Sequence, residues 1–355
     1  MSSRRDFLKV IGLGTAGAML GGAASEPASS PASSASSQPV DLPKIKLGKT
    51  EIMVPRVMFG GNSLTKQNAN VFRAALARGL NFVDTSFAYQ KGNSELTIGE
   101  VVKGFGRDKV IIQTKASGLK DLHTKPVEEV EKQIRSRLET SLKRLQTDYI
   151  DIYLCPHGAS NVADVDYPQL REVVEKLKKE GKIRAFGLST HSNYAECTIA
   201  AAASGWHDVV MPALSMASLD AELLQIAQNA PAAAAMTEEG SAAVPAAAAS
   251  APTSGPARKA KQAPKRPVED FREAAQKAQA ANLAVISMKG ARLVRNNPQL
   301  VKAVTEKFAT PAKQFSLYQI CLRWLMDQPY ITSVNVGLSS MSHLEEALAL
   351  PKVTL

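Results

Sequence analysis

Phe82-Val83-Asp84-Thr85-Ser86-Phe87-Ala88-Tyr89 and, one segment later, Val110-Ile111-Ile112-Gln113-Thr114-Lys115 decide how this chain folds. In each, a short apolar, β-branched run leads to a charged residue, Asp84 in the first and Lys115 in the second. Such a run, bounded by polar residues, reads as a strand covered on both faces, the kind found in parallel sheets. The pattern recurs outward from this pair. Strands are expected at Arg56–Gly60, Leu80–Asp84, Val110–Lys115, Ile150–Cys155, Ala185–Leu188, Val209–Met211, Ala284–Met288 and Ser333–Val336. Helical stretches separate them. Val127–Leu145, for example, places Ile134, Leu138, Ser141, Leu142 and Leu145 on one face. This alternation is that of an α/β fold with a parallel sheet. It fits an open doubly wound sheet or a closed barrel, and a strand count of eight favours closure into a (β/α)8 TIM barrel.

A chain of 355 residues suits one barrel with attachments. Apolar residues make up 45% of it and aromatics only 5%, so the core must be built from Val, Ile, Leu, Ala and Met. The net charge of +10 is spread along many segments, and no basic stripe with a recognisable module accompanies it, which argues against a nucleic-acid partner. Cys155, Cys197 and Cys321 have neither C-x-x-C spacing nor an even count, so neither a disulfide framework nor a metal site is expected; isolated in apolar runs, they read as small buried hydrophobes.

The attachments are legible by composition. Ser3-Arg4-Arg5-Asp6-Phe7-Leu8-Lys9, followed by the uncharged run Val10–Ala24, is similar to a bacterial twin-arginine export signal. This implies residues 1–24 as the signal segment, the translocation machinery as a partner, and the periplasm as the destination. Membrane contact would be made only through this segment, if it stays uncleaved. Gly12, Gly14 and Gly17 spell G-x-G-x-x-G, but no strand precedes them and no acidic strand end follows, so they are rejected as a dinucleotide site. Residues 25–41, rich in Ser, Ala and Pro, read as a flexible linker to a barrel domain at 42–355. A second Ala/Pro-rich tract, about 230–268, reads as a disordered insertion in the sixth βα connection, flanked by a short helix at 218–229 and the regular one at 270–281.

Several motifs occur in a telling order. They are Lys46-Leu47-Gly48-Lys49-Thr50 with Val54; Phe82 to Tyr89, with Gly92-Asn93-Ser94-Glu95 and Gly99-Glu100; Arg107-Asp108-Lys109-Val110 leading to Thr114-Lys115; Leu138-Glu139-Thr140-Ser141-Leu142-Lys143-Arg144-Leu145 before Thr147-Asp148-Tyr149-Ile150-Asp151; and Gly181-Lys182-Ile183-Arg184-Ala185-Phe186-Gly187-Leu188-Ser189. Together, from about residue 44 to 350 outside the insertion, the chain resembles the aldo-keto reductase family. The resemblance implies a (β/α)8 barrel with an N-terminal hairpin across its bottom. It also implies an NAD(P)H-dependent oxidoreductase acting on a small-molecule carbonyl.

Carbonyl reduction needs a hydride donor and a proton donor at one carbonyl. A tyrosine hydroxyl, with an ordinary pKa of about 10, is a poor acid at neutral pH. A nearby ammonium stabilises the phenolate, and a carboxylate in turn holds the ammonium. The resemblance assigns these roles to Tyr89, Lys115 and Asp84, all expected on the carboxyl face of the barrel. It also implies a histidine after the fourth strand. The family usually has it one residue earlier, where this chain has Pro156, so His157 reaches the site only through a bulge or local shift.

For NADPH or NADH, the resemblance points to Ser189 at the carboxamide, to Lys289, Gly290 and Arg292 after the seventh strand, and to Gly337 and Ser339 in a small turn before the last helix, where backbone N–H groups favour an anion. The chain also departs from the family here. Thr190 stands for a frequent Asn, Met211-Pro212-Ala213-Leu214 lacks the usual Gln and stacking aromatic, and the last turn lacks the cations that grip an adenosine 2′-phosphate. A second reading therefore stays open, a barrel that has lost the nicotinamide and serves as a binding or scaffold protein of the cell envelope.

Overall fold

The computed structural model describes residues 38–229 and 268–355. The expected signal segment, nearly all of the expected linker and the Ala/Pro-rich tract lie outside the described residues. The described chain opens with an antiparallel hairpin, β1 (Lys44–Lys46) and β2 (Met53–Pro55). Gly48 turns between them at φ +52°, and a Cβ there would meet the Asn282 carbonyl oxygen at 2.6 Å. Only glycine fits a left-handed turn pressed that closely against backbone. The apolar side chains of this segment, Leu47, Ile52 and Val54, are buried against Met58, Phe82 and Ile152 and so plug one end of the barrel.

Eight parallel strands then close on themselves. They are β3 (Val57–Gly60), β4 (Phe82–Asp84), β5 (Ile111–Lys115), β6 (Ile150–Ala159), β7 (Ile183–Thr190), β8 (Val209–Pro212), β9 (Ala284–Ser287) and β10 (Ser333–Gly337). The order β10-β3-β4-β5-β6-β7-β8-β9 is sequential apart from the closing pair, as short right-handed crossovers require. β6 runs to Ala159, four residues past the expected end, with register shifts on both sides of His157.

The helices are α1 (Ala69–Ala77), α2 (Asn93–Phe105), α3 (Val127–Leu145), α4 (Pro168–Lys179), α5 (Tyr194–Ser204), α6 (Ala221–Asn229), α7 (Arg272–Ala280), α8 (Arg292–Arg295), α9 (Pro298–Lys307), α10 (Leu317–Asp327) and α11 (Met341–Ala349). On α3 the face Val130, Ile134, Leu138, Ser141, Leu142 and Leu145 is buried, as the 3.6-residue spacing requires. α6 and α7 flank the tract whose residues 230–267 are not described. Cys155, Cys197 and Cys321 are all buried and free.

Two aspartates stitch neighbouring strands away from the mouth. Asp151, next to the start of β6, accepts the Ile112 N–H of β5 at 2.9 Å and pairs with Arg107 at 2.7 Å and Arg184 at 2.6 Å. Asp208, just before β8, accepts the Phe186 N–H of β7 at 2.9 Å and pairs with Lys178 at 2.6 Å. Each carboxylate takes a backbone donor from the preceding strand and at least one cation, two in the case of Asp151, so neither buried charge stands alone.

Candidate active site

Asp84 ends β4, Lys115 ends β5, and Tyr89 lies in the loop between β4 and α2. The barrel brings the three together. Lys115 Nζ donates to Asp84 Oδ1 at 2.5 Å, to the Thr85 carbonyl at 2.8 Å and to Tyr89 Oη at 3.3 Å. Lys115 is 0% and Asp84 1% exposed, so this ion pair is shielded from solvent. A buried ammonium is tolerable only when all its protons find acceptors, and here three acceptors face it.

Asp84 is itself held by two amides that the sequence reading missed. Gln113 Nε2 donates to Oδ1 at 2.7 Å, and Asn335 Nδ2 donates to Oδ2 at 3.0 Å. Gln113 lies two residues before Lys115 on β5, so it faces the same way by strand parity. A lone amide within an apolar strand was the signal that could have found it, and Asn335 sits likewise in the apolar β10.

Burial works against the Lys115 charge. The Asp84 carboxylate and the Tyr89 hydroxyl together more than offset it, and Lys115 stands above the ordinary lysine value. Lys115 lowers Tyr89, as expected of a neighbouring ammonium, but the net shift is upward. Burial dominates and raises the phenol, Lys115 offsets this only in part, and Asp84 adds to the rise. The resting tyrosine is therefore protonated at neutral pH, the state a proton donor needs before it acts.

His157 reaches this group through the shifted register of β6. Its Nδ1 lies 2.5 Å from Ser117 Oγ and 3.3 Å from Ser86 Oγ, and the two hydroxyls are 2.7 Å apart. The imidazole meets the Tyr89 ring edge-on, with centroids 6.2 Å apart. Burial, followed by the positive charge of Lys115, the neighbouring His191 and the positive charge of Lys289, holds His157 down at about 3, so it is a neutral imidazole. His191, just past the end of β7 and absent from the sequence reading, has its Nδ1 3.1 Å from Lys289 Nζ. It too is held at about 3, by burial and then by Lys289, Lys115 and Arg292.

The residues expected at a cofactor are spread along the rest of the rim. Ser189 is fully buried near the end of β7, and its Oγ is 3.4 Å from the Gly158 N–H. Lys289 follows β9 at φ +61°, Gly290 is buried beside it, and Arg292 opens α8. Gly337 ends β10, and Ser339 turns its hydroxyl to His343 in the adjoining helix at 3.1 Å. Lys289 therefore reaches His191, whereas Ser339 is engaged with the helix that follows its turn. Ser215, three residues past β8, keeps a buried hydroxyl without a hydrogen-bond partner among the described residues. At Met211 of β8 the amide present is that of Gln113 from β5, 3.2 Å from the sulfur.

The aldo/keto reductase family model matches residues 56–355. The chain belongs to this family. An aldo-keto reductase of Bacillus subtilis, YhdN, is 39% identical over 140 residues, which cover 38% of this chain and 40% of that protein. The NADH-specific methylglyoxal reductase of Escherichia coli is 30% identical over 170 residues, covering 41% and 51%. The chain thus spans about two fifths to half the length of these curated relatives in the matched regions. The holo form of an aldo-keto reductase from Bacillus halodurans superposes with a TM-score of 0.61 over 88% of this chain and 92% of that one, at 20% identity, which establishes the shared barrel fold.

The depressed histidines make stability pH-dependent. His207, buried before β8, is likewise held at about 3, by burial and then by Lys49 and Lys178. In the unfolded chain all three imidazoles take up protons near pH 6.5; in the folded chain they do so near 3. Between those values the unfolded state binds more protons, so stability is full above pH 6.5 and falls as the pH drops toward 3. The fully buried His207 alone contributes a slope of up to about 1.4 kcal/mol per pH unit in that window. Urea unfolding at pH 7, 6 and 5 should show the fall, and His207→Gln should make it shallower. Equal stability at pH 7 and pH 5 would contradict the assignment.

Proposed function

We propose that the protein is an NAD(P)H-dependent oxidoreductase that reduces an aldehyde or ketone to the alcohol, with Tyr89 as the proton donor. The observation that carries this reading is the contact of a protonated, partly buried tyrosine with a fully buried, Asp84-bound lysine at adjacent strand ends. Family membership supports it, as do the names of relatives such as the methylglyoxal reductase.

The rim fits a dinucleotide in its polarity. Ser189, the unpartnered Ser215 hydroxyl, Lys289, Arg292 and the Ser340-capped start of α11 follow one another past β7, β8, β9 and β10. An elongated ligand with two linked phosphates matches that sequence of hydroxyls, cations and backbone donors. Ser189 and Ser215 would hold the amide end, and Lys289 and Arg292 the phosphates. When bound, the nicotinamide supplies a hydride to the carbonyl carbon.

The chain's own residues do the rest. Tyr89 Oη donates a hydrogen bond to the carbonyl oxygen and then gives up its proton as negative charge develops there. The neutral His157 offers a further polar contact at the same oxygen without competing as a cation. Lys115, 3.3 Å from Tyr89 Oη, stabilises the phenolate left behind. Asp84 keeps that ammonium charged and aimed. Reprotonation of Tyr89 from solvent completes the balance, so that carbonyl, NAD(P)H and a proton become alcohol and NAD(P)+.

General acid catalysis is worth about 10²–10⁴-fold. Tyr89→Phe should lower kcat for aldehydes by that order with nucleotide affinity nearly unchanged, because the lost hydroxyl meets the substrate and not the cofactor. Lys115→Met should lower kcat similarly and also lower the melting temperature, since Asp84 then stands as a buried unpaired charge. Nicotinamide absorbance measures the rate, and nucleotide fluorescence measures the affinity. A wild-type protein that neither binds nor oxidises NADPH or NADH would reject this reading in favour of the envelope binding protein, which the absence of a Gln and an aromatic at 211–214 favours.

We further propose export to the periplasm by the twin-arginine route, on the strength of Arg4-Arg5 followed by Phe7-Leu8-Lys9. Exchanging both arginines for lysine should retain the protein in the cytoplasm on cell fractionation, and unchanged export of that variant would sink the proposal.

A further inference from the structure

Tyr89 sits in a loop whose backbone would not hold this shape alone. Gln90, Lys91 and Gly92, the three residues directly after it, all have positive φ, at 50°, 55° and 92°. Two of them bear side chains, and consecutive left-handed residues of that kind persist only where the surroundings impose them. The Tyr89 hydroxyl is joined to the site through Lys115, so the ring's position depends on the loop.

Gln90 is held by hydrogen bonds to the Asn62 carbonyl at 2.8 Å and from Asn93 at 2.9 Å, and the group that grips the loop on both sides of Tyr89 comes from α3. Arg144 Nη1 donates to the Phe87 carbonyl, two residues before Tyr89, at 2.8 Å, and its guanidinium lies over the Phe87 ring at 4.5 Å. The same guanidinium fills the space beside Gly92, three residues after Tyr89, where a Cβ would come within 2.6 Å of Arg144 Cζ. Arg144 therefore grips the loop on both sides of the tyrosine. It is anchored by Glu95, which is 0% exposed; Arg144 Nη1 lies 3.1 Å from Glu95 Oε2, and Thr114 Oγ1 donates to Glu95 Oε1 at 2.8 Å. Thr114 directly precedes Lys115 on β5. The brace thus ties the Tyr89 loop to the strand that carries the lysine. Arg137 completes it, stacking on Phe87 at 4.6 Å and donating to the Ser117 carbonyl at 3.2 Å.

We propose that Arg144, anchored by Glu95, is a positioning residue that holds Tyr89 against Lys115. The planar guanidinium stacks, donates and fills the glycine gap at once, which an ammonium at the same place cannot do. This rests on the reading of Tyr89 as proton donor. A displacement of the order of 1 Å at such a group reduces turnover by about 10²-fold, so kcat should fall about 10- to 100-fold in Arg144→Met, less in Arg144→Lys, with nucleotide affinity unchanged in both.

A second readout does not depend on turnover. In protein labelled with [13Cζ]tyrosine, the Tyr89 signal is assigned by its loss in Tyr89→Phe, and in otherwise wild-type protein it should shift on Lys115→Met. In Arg144→Met it should move to the position of a solvent-exposed tyrosine and no longer respond to Lys115→Met, while the Tyr153 signal stays in place. If Arg144→Met does not fold, Arg144→Lys and Glu95→Gln carry the test, each expected to move the Tyr89 signal part of the way. A Tyr89 signal unmoved in these folded variants would overturn the proposal. Absence of reductase activity in the wild type would reject the proposed function and leave the signal shift to decide the brace.

Discussion

The structure depends on one buried charge. Lys115 carries an ammonium into the barrel with no solvent contact, and an isolated charge there would be prohibitively unfavourable. Asp84 makes it tolerable, and Asp84 is in turn satisfied by Gln113 from the same strand as the lysine and by Asn335 from the last strand. The pair therefore needs β4, β5 and β10 in register, and a closed barrel is the arrangement that delivers all three at one end. The apolar hairpin at the opposite end has the complementary task. Leu47, Ile52 and Val54 seal that opening with side chains that need no partners, so the polar network is confined to the mouth.

Around the mouth the work divides by strand. The ends of β4, β5 and β6 carry the tyrosine, the ammonium and the Ser86–Ser117–His157 cluster. The ends of β7 to β10 carry hydroxyls and cations. Two neutral imidazoles, His157 and His191, stand where the halves meet, with ring centroids 6.2 Å apart. Burial is the main cause of their neutrality, and the lysines and arginine that act on them add to it by repelling a second proton. The result is a mouth of positive field in which a developing oxyanion or a phosphate is favoured and a cationic histidine is not.

How much of this could be read in advance follows from the range of each interaction. The barrel was legible because strand and helix periodicities are local, and the strand ends Asp84 and Lys115 because a charge closing an apolar run is visible in a few residues. Gln113 carried a faint signal of the same kind. Asn335 and Arg144 carried almost none. Asn335 acts on a carboxylate 251 residues away in sequence, and Arg144 acts on a loop 57 residues upstream of it. The net rise of Tyr89 was not legible because burial, which only the fold determines, outweighs the lowering by the ammonium. His157 turned on a register shift in β6 that no spacing rule prescribes.

The proposed function places a carbonyl between Tyr89 and a bound nicotinamide, and isotope transfer interrogates that placement without reference to any substitution. NADH or NADPH deuterated at C4, prepared separately with the label on each face, would be incubated with a panel of aldehydes and ketones and the products analysed by mass spectrometry. The account predicts one deuterium on the former carbonyl carbon of the alcohol, from one labelled face only. Alcohol formed without label, or no nicotinamide-dependent product from any member of the panel, would contradict it.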